Sequence, residues 1–125
     1  MLHFDSNCLQ QVPKEIFELP RLRVLTLSQN KLHWLPTVAA DMPSLEELDI
    51  SQNRLQRLNS DMKHFLNLKK LNLFRNRMDA LPFEIFMCLP RLEEIVLEWF
   101  EFSDPPLPRK FQSSNSLFGE VLKVI

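Results

Sequence analysis

The chain has 125 residues, 45% of them hydrophobic and 25% charged, a balance that suits a folded domain and argues against a disordered one. Fifteen basic against sixteen acidic side chains leave a net charge of −1, which lacks the basic excess of a nucleic-acid binder. Two cysteines make no disulfide framework, a single glycine rules out a Gly-rich phosphate cradle, and no apolar run reaches the length of a membrane span.

The opening residues, MLHFDSNC, lack a basic stretch followed by an apolar one, so no signal peptide is expected and a cytoplasmic location is the default. Leu2, Phe4, Asn7, Leu9 and Val12 begin a frame that later segments repeat, with Met1 standing where a strand residue belongs. PKEIFELP (13–20) then spaces Ile16 and Leu19 as a short helix or 3₁₀ turn requires. The frame returns as LRVLTLSQNKLHWLP from Leu22, LEELDISQNRLQRLN from Leu45 and LKKLNLFRNRMDALP from Leu68. Asn7, Asn30, Asn53 and Asn76 each stand 23 residues after the last. A fifth copy, LEEIVLEWFEFSDPPLP, starts at Leu92, 24 residues after Leu68, and carries Phe100 at the asparagine position. The repeats therefore run over 1–21, 22–44, 45–67, 68–91 and 92–108, with the first one clipped and the extra residue of the fourth placed in its return segment. Beyond Pro108, RKFQSSNS is polar and LFGEVLKVI is a short apolar run, helix or strand; 109–125 is either a cover on the last coil or a tail.

A fixed period of this length means a solenoid, in which each unit buries its apolar side against the next. Alternation at Leu25 and Leu27, Leu48 and Ile50, and Leu71 and Leu73 predicts a strand with those side chains inward. Pro13, Pro36 and Pro82, replaced by Asn59 in one copy, end extended pairing and start the convex return. Each asparagine stands at the bend after the strand, where backbone groups face inward away from water. Its amide has two donors and an acceptor, enough to satisfy turn groups of its own coil and the next. The four asparagines thus form a structural ladder.

These motifs, LxxLxLxxNxLxxLP with LPxEI and LPxL returns, resemble the leucine-rich repeat superfamily over residues 2–108, and most closely the 23-residue intracellular class of Ras-suppressor and Scribble-like proteins. The resemblance implies an α/β solenoid: a curved ribbon with parallel strands on the concave face and turns or short helices on the convex one. It also implies binding of other proteins through the concave surface, as scaffold or signal-transduction modules do.

Outward strand positions stack across coils about 4.8 Å apart. Two ladders alternate in sign, Arg23, Glu46, Lys69, Glu93 and Val24, Glu47, Lys70, Glu94, and read as a self-paired solvated flank. A third runs His3, Thr26, Asp49, Asn72, Val96; a fourth ends in Phe74 and Glu98; a fifth runs Ser6, Gln29, Gln52, Arg75, Trp99. Aromatic and Arg side chains gather toward the C-terminal coils, as in interface hot spots. The expected partner site, for a protein or peptide, is therefore Asp49, Gln52, Asn72, Phe74, Arg75, Val96 and Trp99. Lys31, Arg54 and Arg77 form a basic edge just past the asparagines, suited to an acidic or phosphorylated segment.

No chemistry converges. His3, His33 and His64 occupy unrelated template positions, so neither a metal site nor a histidine-based triad is expected, and no cofactor motif is present. Cys8 reads as a spare thiol and Cys88 as a small core residue beside Leu89. The expected function is a non-catalytic protein-interaction module with neither nucleic acid nor membrane as partner; uncovered ends would let copies self-associate. A second reading takes the chain as a segment of a longer array. In a third it is a regulatory region of a signalling enzyme (kinase, GTPase, phosphatase or ubiquitin ligase) whose catalytic domain lies elsewhere.

Overall fold

The computed structural model describes residues 1–35, 44–58, 62, 65–78, 86–97, 111–116 and 119–124. One strand comes from each repeat: β1 (Leu2–His3), β2 (Val24–Thr26), β3 (Glu47–Asp49), β4 (Lys70–Asn72) and β5 (Glu94–Leu97). All four junctions are parallel, and the register sets Leu2, Leu25, Leu48, Leu71 and Ile95 side by side. Between β1 and β2 the return is a 3₁₀ helix, Lys14–Glu18, as the spacing of Ile16 and Leu19 requires.

The core is a single file. Leu25, Leu48, Leu71 and Ile95 are buried in one layer; Leu27, Ile50, Leu73 and Leu97 fill the next, and Leu32 and Leu55 close the turn. From the convex side Met62 with Phe65, and Phe86 with Leu89, reach in to meet them. Each such burial contributes about 1.5–3 kcal/mol. The return turns repeat one bond: Phe65 N–H donates to the Met62 carbonyl (3.1 Å) and Leu89 N–H to that of Phe86 (3.2 Å). The extra residue of the fourth copy therefore precedes Phe86, which takes the place Met62 holds one coil earlier. This register turns Cys88 out to solvent, against its expected place in the core. Pro36, Asn59, Pro82, Ile85 and Phe100 lie outside the described residues.

A hairpin of β6 (Phe111–Ser116) and β7 (Gly119–Val124) follows. The apolar run after the polar stretch is a strand. β7 pairs antiparallel with β5, so the order is β1-β2-β3-β4-β5-β7-β6 and the direction of the sheet reverses where the repeat loses its frame.

The first four strand exits each carry a left-handed residue immediately before the asparagine, Ser6 (φ 60°), Gln29 (56°), Gln52 (53°) or Arg75 (56°), and the first coil has a second at Cys8 (58°). A side chain there costs about 1–2 kcal/mol, so something must hold it. At the strand exit N–H groups donate forward to the next coil, as Gln29 does to Ser51 (3.2 Å) and Gln52 to Phe74 (2.7 Å). Past the bend they donate backward: Lys31 to Leu9 (2.8 Å), Arg54 to Leu32 (2.8 Å), Arg77 to Leu55 (2.9 Å). The asparagine amide spans the groups stranded by that switch. Asn53 Nδ2 donates to the carbonyls of Leu27 (2.9 Å), Ile50 (3.2 Å) and Ser51 (3.0 Å), while its Oδ1 accepts from Leu32 N–H (3.1 Å). Asn30 and Asn76 do the same. Each asparagine thus serves its own coil and the preceding one, not the following one as expected. Asn7 has no preceding coil in this chain; its side chain is exposed and makes no hydrogen bond among the described residues.

The asymmetry is testable. Replacing Asn53 by Ala leaves the Leu32 N–H without a partner and takes one of two donors from each of three carbonyls; it should cost about 2–4 kcal/mol, roughly 1–3 kcal/mol for the orphaned N–H and the rest for the weakened carbonyls. Asn7→Ala should change stability by less than about 0.5 kcal/mol, since surface substitutions away from such contacts are near neutral. Urea denaturation measures both; equal losses would remove the ladder as the reason for the repeat.

Candidate functional site

The parallel register places the expected surface residues in rows. Thr26, Asp49, Asn72 and Val96 are neighbours across β2 to β5, and all four are half-buried. With Val24 and Lys70 among the other lining residues, they form a groove of about 210 Å³ on the concave face. Two of its polar side chains are fixed by their own coils. Asp49 Oδ1 accepts the Ser51 N–H and Asn72 Oδ1 the Phe74 N–H, each at 3.0 Å. These turns follow from an Asp or Asn two residues before the donor, a signal present in the sequence and unused in reading it.

Nearer the first coil the same face is closed by its own hydrogen bonds. Asp5 accepts from the Thr26 hydroxyl (3.0 Å) and from both N–H and hydroxyl of Ser28 (2.8 and 3.0 Å). The Thr26 proton is committed to Asp5, so His3 Nδ1, 2.7 Å from Thr26 Oγ1, must be the donor there. The polar half of the face is therefore occupied internally, and the open polar groups lie toward β4 and β5.

The expected partner site divides in two. Asp49, Asn72 and Val96 line the concave groove. Gln52 and Arg75 instead line a separate depression of about 450 Å³ beside the asparagine turn, together with Arg54 and Arg77 of the basic edge. The left-handed residue causes the split, because it turns its side chain away from the strand face and toward the turn. Phe74 is half-buried between the two, with the Arg75 guanidinium 5.2 Å from its ring centre. Lys31 is exposed and does not line the depression. Trp99 lies outside the described residues.

The flanking charge ladders pair as the alternation of sign predicts. Arg23 Nε and Nη2 both donate to Glu46 Oε2 (2.9 and 2.7 Å), with Lys69 Nζ 3.5 Å from Oε1. Lys70 Nζ is 4.0 Å from Glu47, and the register sets Lys123 opposite Glu94. The hydrogen bonds from Arg23 hold the Glu46 carboxyl below the usual glutamate range; desolvation opposes them, and the charges of Arg23 and Lys69 add to the lowering.

Among the described residues no three His, Cys, Asp or Glu side chains stand close enough to hold a metal, and no helix is long and apolar enough to cross a membrane. His3 sits in β1 and His33 packs beside Trp34, ring centres 6.1 Å apart; His64 lies outside the described residues.

Comparison with known proteins agrees with this geometry. The family model of the leucine rich repeat matches residues 1–55 and 43–99. Among solved structures, a chain of the Drosophila melanogaster SNF/U2A' complex is similar over 74% of this chain and 54% of its own length, with a TM-score of 0.65 and 23% identity. At that identity the likeness is one of fold. The present chain spans about half the length of that one. No curated protein matches the sequence.

The Arg23 contact makes a prediction about acid titration. Because the folded pKa of Glu46 is depressed, its contribution to stability is present above the unfolded value and fades as pH falls through the lower folded one. Carboxyl-carbon NMR should find Glu46 titrating below an ordinary glutamate, and Arg23→Ala should move it up toward that value. An unshifted Glu46 would show that this exposed pair is not held in solution.

Proposed function

Because the chain belongs to the leucine-rich repeat family, we propose that it is a non-catalytic module that binds a protein or peptide in the concave groove formed by β2 to β5. The observation that carries this reading is the groove itself, preformed at about 210 Å³, with Asp49 and Asn72 already held by their own backbones. Side chains fixed before the encounter lose little freedom on binding, so more of the contact energy becomes affinity. Val96 supplies an apolar end to a row that is otherwise polar, and a mixture of apolar and polar contacts suits a protein partner.

The groove residues Asp49, Asn72 and Val96 are the core of the proposed contact, with Phe74 at its edge and Trp99 an added candidate from the sequence. The proposal includes a cytoplasmic setting and a scaffold or signalling role. A longer array is the second reading, supported by the chain's covering 54% of the similar structure's length.

Val96→Asp places a charge at the apolar end of the groove without touching the buried file. Quantitative affinity capture should show partners of the unaltered protein reduced at least about tenfold, the effect of roughly 1.4 kcal/mol at an interface. Unchanged recovery, with an unchanged melting temperature, removes the concave groove as the contact.

A further inference from the structure

The depression beside the asparagine turns has a chemistry of its own. Arg54, Arg75 and Arg77 converge on it from two adjacent coils, and Gln52 adds an amide. Among the described residues none of the three arginines has a carboxylate within 4.0 Å, unlike Arg23, Lys69 and Lys70 on the opposite flank of the strands. Three guanidinium groups facing one space without an anion repel each other and are only partly screened at such range. Arg75 is further oriented by its ring contact with Phe74, 5.2 Å away, which restricts its planar fork. The left-handed backbone at Gln52 and Arg75 aims both side chains here, and the buried asparagine turns hold that backbone in place.

We propose that this depression binds the phosphoryl group of a phosphorylated segment in a partner protein. This inference rests on the reading of the chain as a protein-binding module and names a second contact beside the concave groove. A carboxylate is matched by one bidentate arginine, whereas a phosphoryl group carries nearly two charges on three terminal oxygens and can engage three. An extended polyanion fits poorly. The chain is net −1, and the strand face next to the depression carries Glu47, Asp49 and Glu94 against Lys70, an acidic excess that would repel a phosphate backbone laid across it. The charge that is recognised must be local.

Amide and Arg Nε NMR shifts test the site directly with N-acetyl-phosphoserine amide and inorganic phosphate as probes. Saturable shifts should cluster at Gln52, Arg54, Arg75 and Arg77. N-acetyl-serine amide and acetate should leave them in place. Arg54→Ala and Arg77→Ala should each weaken phosphoserine binding by about tenfold, the loss expected for one charged hydrogen-bonded pair. Arg77→Lys should recover only part of it, because a lysine keeps the charge without the fork. Scattered shifts, or an equal response to acetate, overturn the proposal. So does a single-stranded oligonucleotide that binds the same residues more tightly than the phosphoserine probe, since it would make nucleic acid the occupant. Val96→Asp should leave phosphoserine binding unchanged. The two readings can thus fail separately: the groove through partner capture in Val96→Asp, the depression through phosphoserine binding in the arginine variants.

Discussion

The constraint on which this solenoid depends is the bend at the end of each strand, and the buried asparagines satisfy its backbone groups. At the strand exit Gln29 and Gln52 give their N–H to the following coil; past the bend Lys31 and Arg54 give theirs to the preceding one. Between them lie buried carbonyls to which the asparagine side chains donate. Asn53 meets three such carbonyls and one N–H with a single side chain, and does so while buried. Glutamine would reach too far and aspartate would present acceptors to carbonyls. The left-handed residue before it is the other half of the device: it makes the turn at the asparagine, and the N–H it gives to the next coil, as Gln52 does to Phe74, helps to hold it.

That one local arrangement also sorts the surface. Positions before the left-handed residue stay on the strand face and stack as Thr26, Asp49, Asn72 and Val96. The left-handed residue itself, and those just past the asparagine, are turned to the side, where Arg54, Arg75 and Arg77 share a depression. Two surfaces of different chemistry result, only a few residues apart in each coil. The concave groove is mixed and partly apolar; the neighbouring depression is cationic. Backbone geometry set for stability thereby partitions the recognition chemistry.

The strand, turn and return of each coil could be read from the sequence because every one of them repeats, so accidental matches are averaged away. The single-file core followed from the alternation at Leu25 and Leu27 and its copies. What did not repeat was not legible. The direction in which Asn53 reaches depends on which coil carries the stranded carbonyls, and a periodic pattern looks the same read either way. Cys88 was misplaced because the extra residue could be set before or after Phe86, and only the shared turn bond from Leu89 to Phe86 settles it. Gln52 and Arg75 were grouped with Asp49 and Asn72 because strand spacing was extended one residue too far, past a left-handed bend that carries no glycine to announce it. Pairing of Arg23 with Glu46 was legible, since opposite charges at one template position admit few alternatives.

The end of the repeat follows from the same constraint. The fifth coil has Phe100 at the asparagine position, so the amide that ties each inner coil to the one before it is missing from the sequence there. The next strand on β5 is antiparallel, and its hydrogen bonds run both ways across one interface. β7 accordingly meets β5 with Ile95 opposite Leu122 and Val96 opposite Val121, so the alternation of the sheet continues without the turn that built it. Among the described residues β6 pairs with β7 alone, which puts FQSSNS, a mostly polar sequence, at the edge of the sheet. Loss of the asparagine and reversal of strand direction thus fall in the same coil, the fifth, where the parallel register of β1 to β5 ends.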